Sequence, residues 1–253
     1  MRKLMRLGSL AVVLTLAVVV LAACGSNAKG VKDLKAASTD TAITVTFNNP
    51  KDVDKTKVKA AVSITEGNVN YMIIVQEKSA DAPKDTDWTR LKAVTVADNS
   101  DATTGSSDWT YTEAGLTPDT QYKVYIRTIT YGATEEDDTL GDIVTIDKAT
   151  VLGAPEVTVE QKGTEAEVTF TVTKLDGATG YEYALVNDGV TDITSPSWKT
   201  LSVDATTGKV DVTVDSSLVG KTVEFQVRAI SANGKGVATA PISVEIVAAP
   251  TVG

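Results

Sequence analysis

One cysteine and no histidine limit the chemistry this chain can do. Without histidine there is no Ser-His-Asp or Cys-His pair to activate a nucleophile. Histidine-containing zinc sites are excluded too, and a single thiol cannot build a thiolate one. Three features remain. Cys24 is a thiol placed directly after an apolar run. Glu135, Glu136, Asp137 and Asp138 form an unbroken run of acids. Trp88 and Trp198 are large rings that, if exposed, could stack on sugar faces. Four carboxylates could hold Ca²⁺, which takes several oxygen ligands. Consecutive acids, however, lack the spaced ligands and sharp-turn glycine of a dedicated calcium loop, so no metal is assigned. The plainer reading of the run is a solvated turn, with partner contact as the functional alternative. For the tryptophans the plainer reading is packing, since a Trp buries much apolar area in a small core. Paired carboxylates or a Ser-Lys pair would be the only catalytic options left. No spacing singles one out, so no catalytic residue is named and no enzyme is expected.

The setting of Cys24 is specific. Arg2, Lys3 and Arg6 make a positive start, and Leu7 to Ala23 is uncharged and rich in Leu, Val and Ala. Positive end, apolar middle and small residues are the pattern of a secretory signal. The run is also near the lower length limit of a membrane-spanning helix. Leu21-Ala22-Ala23-Cys24 resembles the bacterial lipobox. That resemblance implies a diacylglycerol joined to the Cys24 sulfur and cleavage just before it. Residues 1–23 would then be a removed signal peptide and residues 24–30 a lipidated tether. Two acyl chains anchor stably where one does not, at about 0.8 kcal/mol per buried CH₂. Membrane association through that lipid is the expected partner, and an ordinary signal peptide with a chance cysteine is the alternative.

The whole chain has 33 acidic and 24 basic residues, a net charge of −9. Three cations and no acid leave with residues 1–23, so the remainder is more acidic still. Phosphate recognition needs clusters of Lys and Arg, and no nucleic-acid partner is expected. Anionic lipid would repel such a chain, which leaves the attached lipid to hold it at the membrane. No internal disulfide can form, so the fold must be held by packing alone. No cofactor is expected beyond the covalent diacylglycerol on Cys24.

Beyond the tether the sequence is strand-like. "AITVTF" sets Ile43, Val45 and Phe47 on one face, "EVTFTVT" sets Val168, Phe170 and Val172, and "KVDVTVD" sets Val210, Val212 and Val214. Period-two alternation predicts sheets with one wet face, and many short strands with frequent turns predict sandwiches. The chain also repeats itself. Tyr71, Trp88 and Leu91 share their spacing with Tyr181, Trp198 and Leu201. "YKVYIRTIT" aligns with "VEFQVRAIS", matching Val124 to Phe225, Ile126 to Val227 and Arg127 to Arg228. Internal similarity of this length means two copies of one domain. Gly153 and Pro155 mark the junction. Trp109 and Tyr111 alternate in "DWTYTEAG" and are read as core-facing, with an exposed aromatic stripe as the alternative.

"GLTPDTQYKVYIR", with Leu116, Pro118, Thr120 and Tyr122, resembles the turn before the penultimate strands of fibronectin type III domains. "LDGATGYEYAL" resembles the approach to that family's third strand. "VRAISANGKGVATAPISVEI", with Asn233, Gly234 and Gly236, resembles its last hairpin. The resemblance covers roughly 30–250. It implies that Tyr122 is a corner tyrosine returning its hydroxyl to nearby backbone. It also implies that the loop with Glu135–Asp138 at its tip is a partner-binding loop. The chain departs from the family in the extra "KDVDKTKVKAAVSITEG" before Tyr71, in Val223 at the second corner, and in Phe47 and Phe170 where the family has an early-strand Trp.

The expected architecture is all-β: two tandem immunoglobulin-like, fibronectin type III-like β-sandwiches after a cleaved lipoprotein signal peptide. Domain 1 spans 31–150, domain 2 spans 151–248, and 249–253 is a tail. Ala249-Pro250 echoes Ala154-Pro155, where the second copy opens, as if a third module were starting. The expected role is a non-catalytic spacer or protein-interaction module on the extracytoplasmic face of a cell membrane, with a Gram-positive surface favoured. Its partner would be an envelope or host protein. The alternative is a carbohydrate- or matrix-binding adhesin, with polysaccharide as partner and Trp88 and Trp198 as stacking rings.

Overall fold

The computed structural model describes residues 30–51, 53–98, 109–162 and 166–247. Cys24, residues 1–23 and the 249–253 tail lie outside them. Every described strand of five or more residues is antiparallel to its neighbours.

The first module contains β1 (Lys32–Ser38), β2 (Ala42–Asn48), β3 (Val69–Glu77), β4 (Ala93–Val94), β5 (Ala97–Asp98), β6 (Trp109–Ala114), β7 (Gln121–Thr130), β8 (Thr139–Leu140) and β9 (Val144–Ala149). One sheet has the order β1-β2-β6-β5. The other has β4-β3-β7-β8, with β9 also paired to β7. The second module contains β10 (Val157–Gln161), β11 (Glu167–Val172), β12 (Gly180–Asn187), β13 (Lys199–Leu201), β14 (Lys209–Thr213), β15 (Thr222–Ser231), β16 (Gly234–Lys235) and β17 (Ile242–Glu245). Its sheets run β10-β11-β14 and β13-β12-β15-β16, with β17 on β15. The two modules therefore share one immunoglobulin-like sandwich topology.

The alternation read from sequence builds both cores. β2 and β11 bury every second residue, and β15 does so along its full length. In the first module Phe47 meets Tyr71 edge-on at 4.8 Å, and Trp109 tilts against Tyr71 at 5.9 Å. In the second, Phe170 meets Phe225 edge-on at 5.4 Å and Tyr183 at 5.3 Å. Such pairs add about 0.5–1.5 kcal/mol each beyond the area they bury. Tyr111 packs against the same core as Trp109, so the alternating pair faces inward.

The corner tyrosines are solved differently in the two copies. The Tyr122 hydroxyl accepts from Thr117 N–H at 3.0 Å, as the resemblance implied. Val223, at the matching position, is fully buried and has no hydroxyl to offer. Instead the Tyr181 hydroxyl accepts from Leu175 N–H at 2.9 Å, tying down a different corner.

The repeat alignment needs one correction. Tyr181 pairs with Leu201, but Tyr71 pairs with Val94 rather than with the region of Leu91. A 3₁₀ turn at Arg90–Lys92 intervenes in the first copy and leaves Leu91 91% exposed. Equal spacing in the two sequences thus conceals a three-residue difference in path. The extra segment before Tyr71 is more than a solvated connection. Its 3₁₀ turn at Lys55–Lys57 is N-capped by Asp54, and Val58 then drops into the core and bridges Val69. Asn70 is fully buried on β3. Its side chain accepts from Ser63 N–H at 3.0 Å and donates to the carbonyls of Lys59 at 2.9 Å and Ala61 at 3.0 Å.

Candidate functional site

Cys24 lies outside the described residues; the acidic run and the two tryptophans lie beside the outer faces of the β3–β7 and β12–β15 sheets. On the first module the outer face is apolar. Met72, Trp88, Tyr125, Ile129 and Tyr131 form a second small core beneath the segment joining β3 to β4. β3 and β7 are thus buried on both sides, which explains their nearly continuous burial.

The acidic run divides at this small core. Glu135, Glu136 and Asp137 form a 3₁₀ turn and are exposed. The Asp137 carboxylate is occupied by its own cap, accepting from Thr134 N–H and Oγ1. Asp138 is not at the tip: its side chain is 8% exposed and lies against Arg90. Arg90 Nε donates to Oδ2 at 2.7 Å and Nη2 to Oδ1 at 2.6 Å, a two-pronged charge-assisted pair. Gly132 N–H donates to the same carboxylate at 2.9 Å. The Arg90 hydrogen bonds hold the Asp138 pKa below the ordinary carboxylate range. The guanidinium also lies over Tyr131, 5.5 Å from the ring centre. The four acids therefore do not converge. Among the described residues no three His, Cys, Asp or Glu side chains stand close enough to share a metal.

The tryptophans differ from one another. Trp88 is 5% exposed, and the Arg127 guanidinium lies 5.3 Å from its ring centre. Its rings are buried, so stacking on a sugar face is corrected to a packing role for this residue. Trp198 is only partly buried, with Arg228 stacked on it at 3.8 Å. Arg228 Nε and Nη2 both donate to Glu182 Oε2, at 2.9 and 2.6 Å, and Lys235 stands 3.6 Å from the same oxygen. Arg127 and Arg228 occupy the same place in their sheets, opposite Met72 and Glu182 respectively. The Met72 thioether is only a weak acceptor, and Arg127 Nε donates instead to the Gly141 carbonyl at 3.0 Å. Burial lowers the Arg127 pKa, and its Nη1, the Trp88 Nε1 and the Tyr131 hydroxyl are buried without partners. Each module thus covers one matched arginine with a tryptophan, bonded to a backbone carbonyl in the first and ion-paired in the second.

Trp109 and Tyr111 carry their polar atoms inward. Trp109 Nε1 donates to Asn49 Oδ1 at 2.9 Å. The Tyr111 hydroxyl donates to Glu113, and burial, reinforced by that bond, raises its pKa.

Arg90 and Glu182 were not singled out in the sequence, because nothing local marks their partners. Asp138 lies 48 residues from Arg90, and Arg228 lies 46 from Glu182. Cross-strand pairing sets Glu182 against Arg228, whereas Arg90 and Asp138 meet between two 3₁₀ turns.

No family model matches the chain, and no curated protein matches it. Among solved structures it is similar to a two-domain fibronectin type III segment from chicken tenascin. The identity is 16% and the TM-score 0.38, over 85% of this chain and 97% of that one. It is also similar to the FN1–FN3 domains of chicken CNTN1, at 13% identity and a TM-score of 0.38, over 88% of this chain and 69% of the other.

Proposed function

We propose that the chain is a cell-surface lipoprotein whose tandem sandwiches serve as a non-catalytic spacer or protein-interaction module. The observation that carries the modular reading is the repeated closed sandwich. Of the acids singled out, Asp138 is engaged by Arg90, and under Trp198 the Arg228 guanidinium is engaged by Glu182. Leu21-Ala22-Ala23-Cys24 supplies the anchor: a thioether to diacylglycerol at the first residue of the processed chain, with a tether of a few residues before β1. The acidic surface suits a protein held off an anionic membrane by lipid alone.

The anchor is tested by Cys24→Ser. The variant is expected in the soluble fraction, or to remain unprocessed; a processed and membrane-bound variant overturns the lipid claim.

A carbohydrate-binding role is favoured by one observation, the partly exposed Trp198 ring with its cationic backing. Cosedimentation of the chain with purified cell wall and insoluble polysaccharides tests it. Retention lost in Trp198→Ala with the fold intact supports an adhesin. No retention on any of these supports leaves the spacer and protein-partner reading.

A further inference from the structure

The turn that closes the first module before β7 carries Asp119 in the left-handed region, with φ of 51°. The matching residue of the second module is Gly220, with φ of 81°. The match is set by pairing: Thr128 faces Tyr71 as Ala229 faces Tyr181, which places Asp119 and Gly220 in register. Both residues also donate their N–H across the end of their module, Asp119 to Val151 and Gly220 to Ile246. Glycine takes this conformation freely, whereas an L side chain does so against steric resistance. Asp119 therefore stands where backbone geometry alone would favour glycine.

Its side chain leaves its own module. Ser231 Oγ donates to Asp119 Oδ1 at 2.5 Å, and Asn233 Nδ2 donates to the same oxygen at 3.0 Å and to the Asp119 carbonyl at 2.8 Å. Ser231 and Asn233 belong to the β15–β16 turn of the second module. Other groups are fitted to this approach. A Cβ on Gly177, in the second module, would stand 2.7 Å from Asp119 Oδ2. A Cβ on Gly236 would stand 2.8 Å from the Leu152 carbonyl, which accepts from Val237 N–H at 2.8 Å. Leu152 is buried in the second core, while Thr150, two residues earlier, is bonded into the first module through Thr117 and Thr120. The connecting chain has no slack.

We infer that the Asp119 turn is a dedicated joining surface, which clasps the Ser231–Asn233 turn and fixes the two modules as one rigid unit. Relative motion is the default for tandem domains without a large apolar interface, so a clasp of this kind has a measurable consequence. The clasp is directional: the second module has Gly220 in place of the aspartate and offers no such side chain. This goes beyond the spacer reading and holds or fails apart from it, since an adhesin could be rigid and a spacer flexible.

The test is the inter-module distance in the full chain, read by paired spin labels at Thr145→Cys and Glu245→Cys, with Cys24→Ala so that only those sites react. The clasped chain should give a single narrow distance peak. Asp119→Gly keeps the turn's backbone and deletes the carboxylate, and should lose that peak to a broad distribution. Asn233→Ala, made on the other module's turn, should broaden it as well, which separates loss of the clasp from damage to the first module. Asp119→Asn retains a side-chain acceptor and tolerates the left-handed region, and should stay narrow. A peak as narrow in both Asp119→Gly and Asn233→Ala as in the unaltered chain overturns the proposal.

Discussion

The run of four acids shows how far neighbouring residues can diverge in role. Glu135 and Glu136 face solvent, Asp137 caps its own turn, and Asp138 pins the β7–β8 turn to Arg90 across the small outer core. An ion pair this enclosed, with a backbone donor in addition, is costly to break from one side, because the remaining charge is stranded. Asp138→Asn should destabilise the first module by roughly 1–3 kcal/mol at neutral pH, read as a shift in denaturant midpoint. The pH dependence follows from the lowered pKa. A carboxylate whose folded pKa lies below its unfolded one contributes stability that is fully present above the unfolded value. That contribution is lost as pH falls through the folded value. The gap between Asp138→Asn and the unaltered chain should therefore be steady from neutrality down to the ordinary aspartate range, then close in stronger acid. A gap that persists below that range would mean the pair is not its source.

The strands were legible where one face is wet. β2 and β11 show it, because Thr and Glu between apolar residues report the pleat directly. β3 was harder: it is covered on both faces, so Met72 and Ile74 interrupt the alternation, and its outer cover comes from a segment with no periodic pattern. The three-residue offset at Leu91 was hidden for a similar reason, since a 3₁₀ turn leaves no hydrophobic period to read. The corner tyrosine of the first copy was legible from its turn sequence. The corner bond of the second was not, because Tyr181 serves it from a strand that reads as ordinary core. Two predictions belong here. Tyr122→Phe and Tyr181→Phe should each cost about 1–2 kcal/mol, by leaving a corner N–H without its acceptor, each in the unfolding of its own module. Phe170→Ala, which empties a fully buried site between Tyr183 and Phe225, should cost about 3–5 kcal/mol and unfold the second module first. A loss below 1 kcal/mol for Phe170→Ala would mean that the core collapses into the space.

At the scale of the molecule, the sequence disclosed two copies and a junction but not how they meet. Asp119 reads as an ordinary turn residue in "TPDT", and only its position opposite Ser231 and Asn233 gives it a second role. The one available signal was the mismatch between Asp119 and Gly220 once the copies are aligned by pairing. The same junction predicts that Gly236→Ala is harmful out of proportion to its size. The added methyl would meet the Leu152 carbonyl and the Ala229 carbonyl, both backbone atoms with little room to yield. A loss of about 1–3 kcal/mol is expected from such overpacking, seen as a lower melting temperature of the full chain. An unchanged melting temperature would mean that the junction is looser than its hydrogen bonds imply.

The uneven placement of the three tryptophans also makes the protein its own optical reporter. Trp88 and Trp109 belong to the first module and are buried, while Trp198 belongs to the second and is partly exposed. Emission from the native chain should be a blue-shifted majority from the first module and a redder minority from the second. Only the minority should be reached by aqueous iodide. The two modules can then be followed separately in one sample without labels: loss of the blue component marks opening of the first module, and a change in the quenchable fraction marks the second.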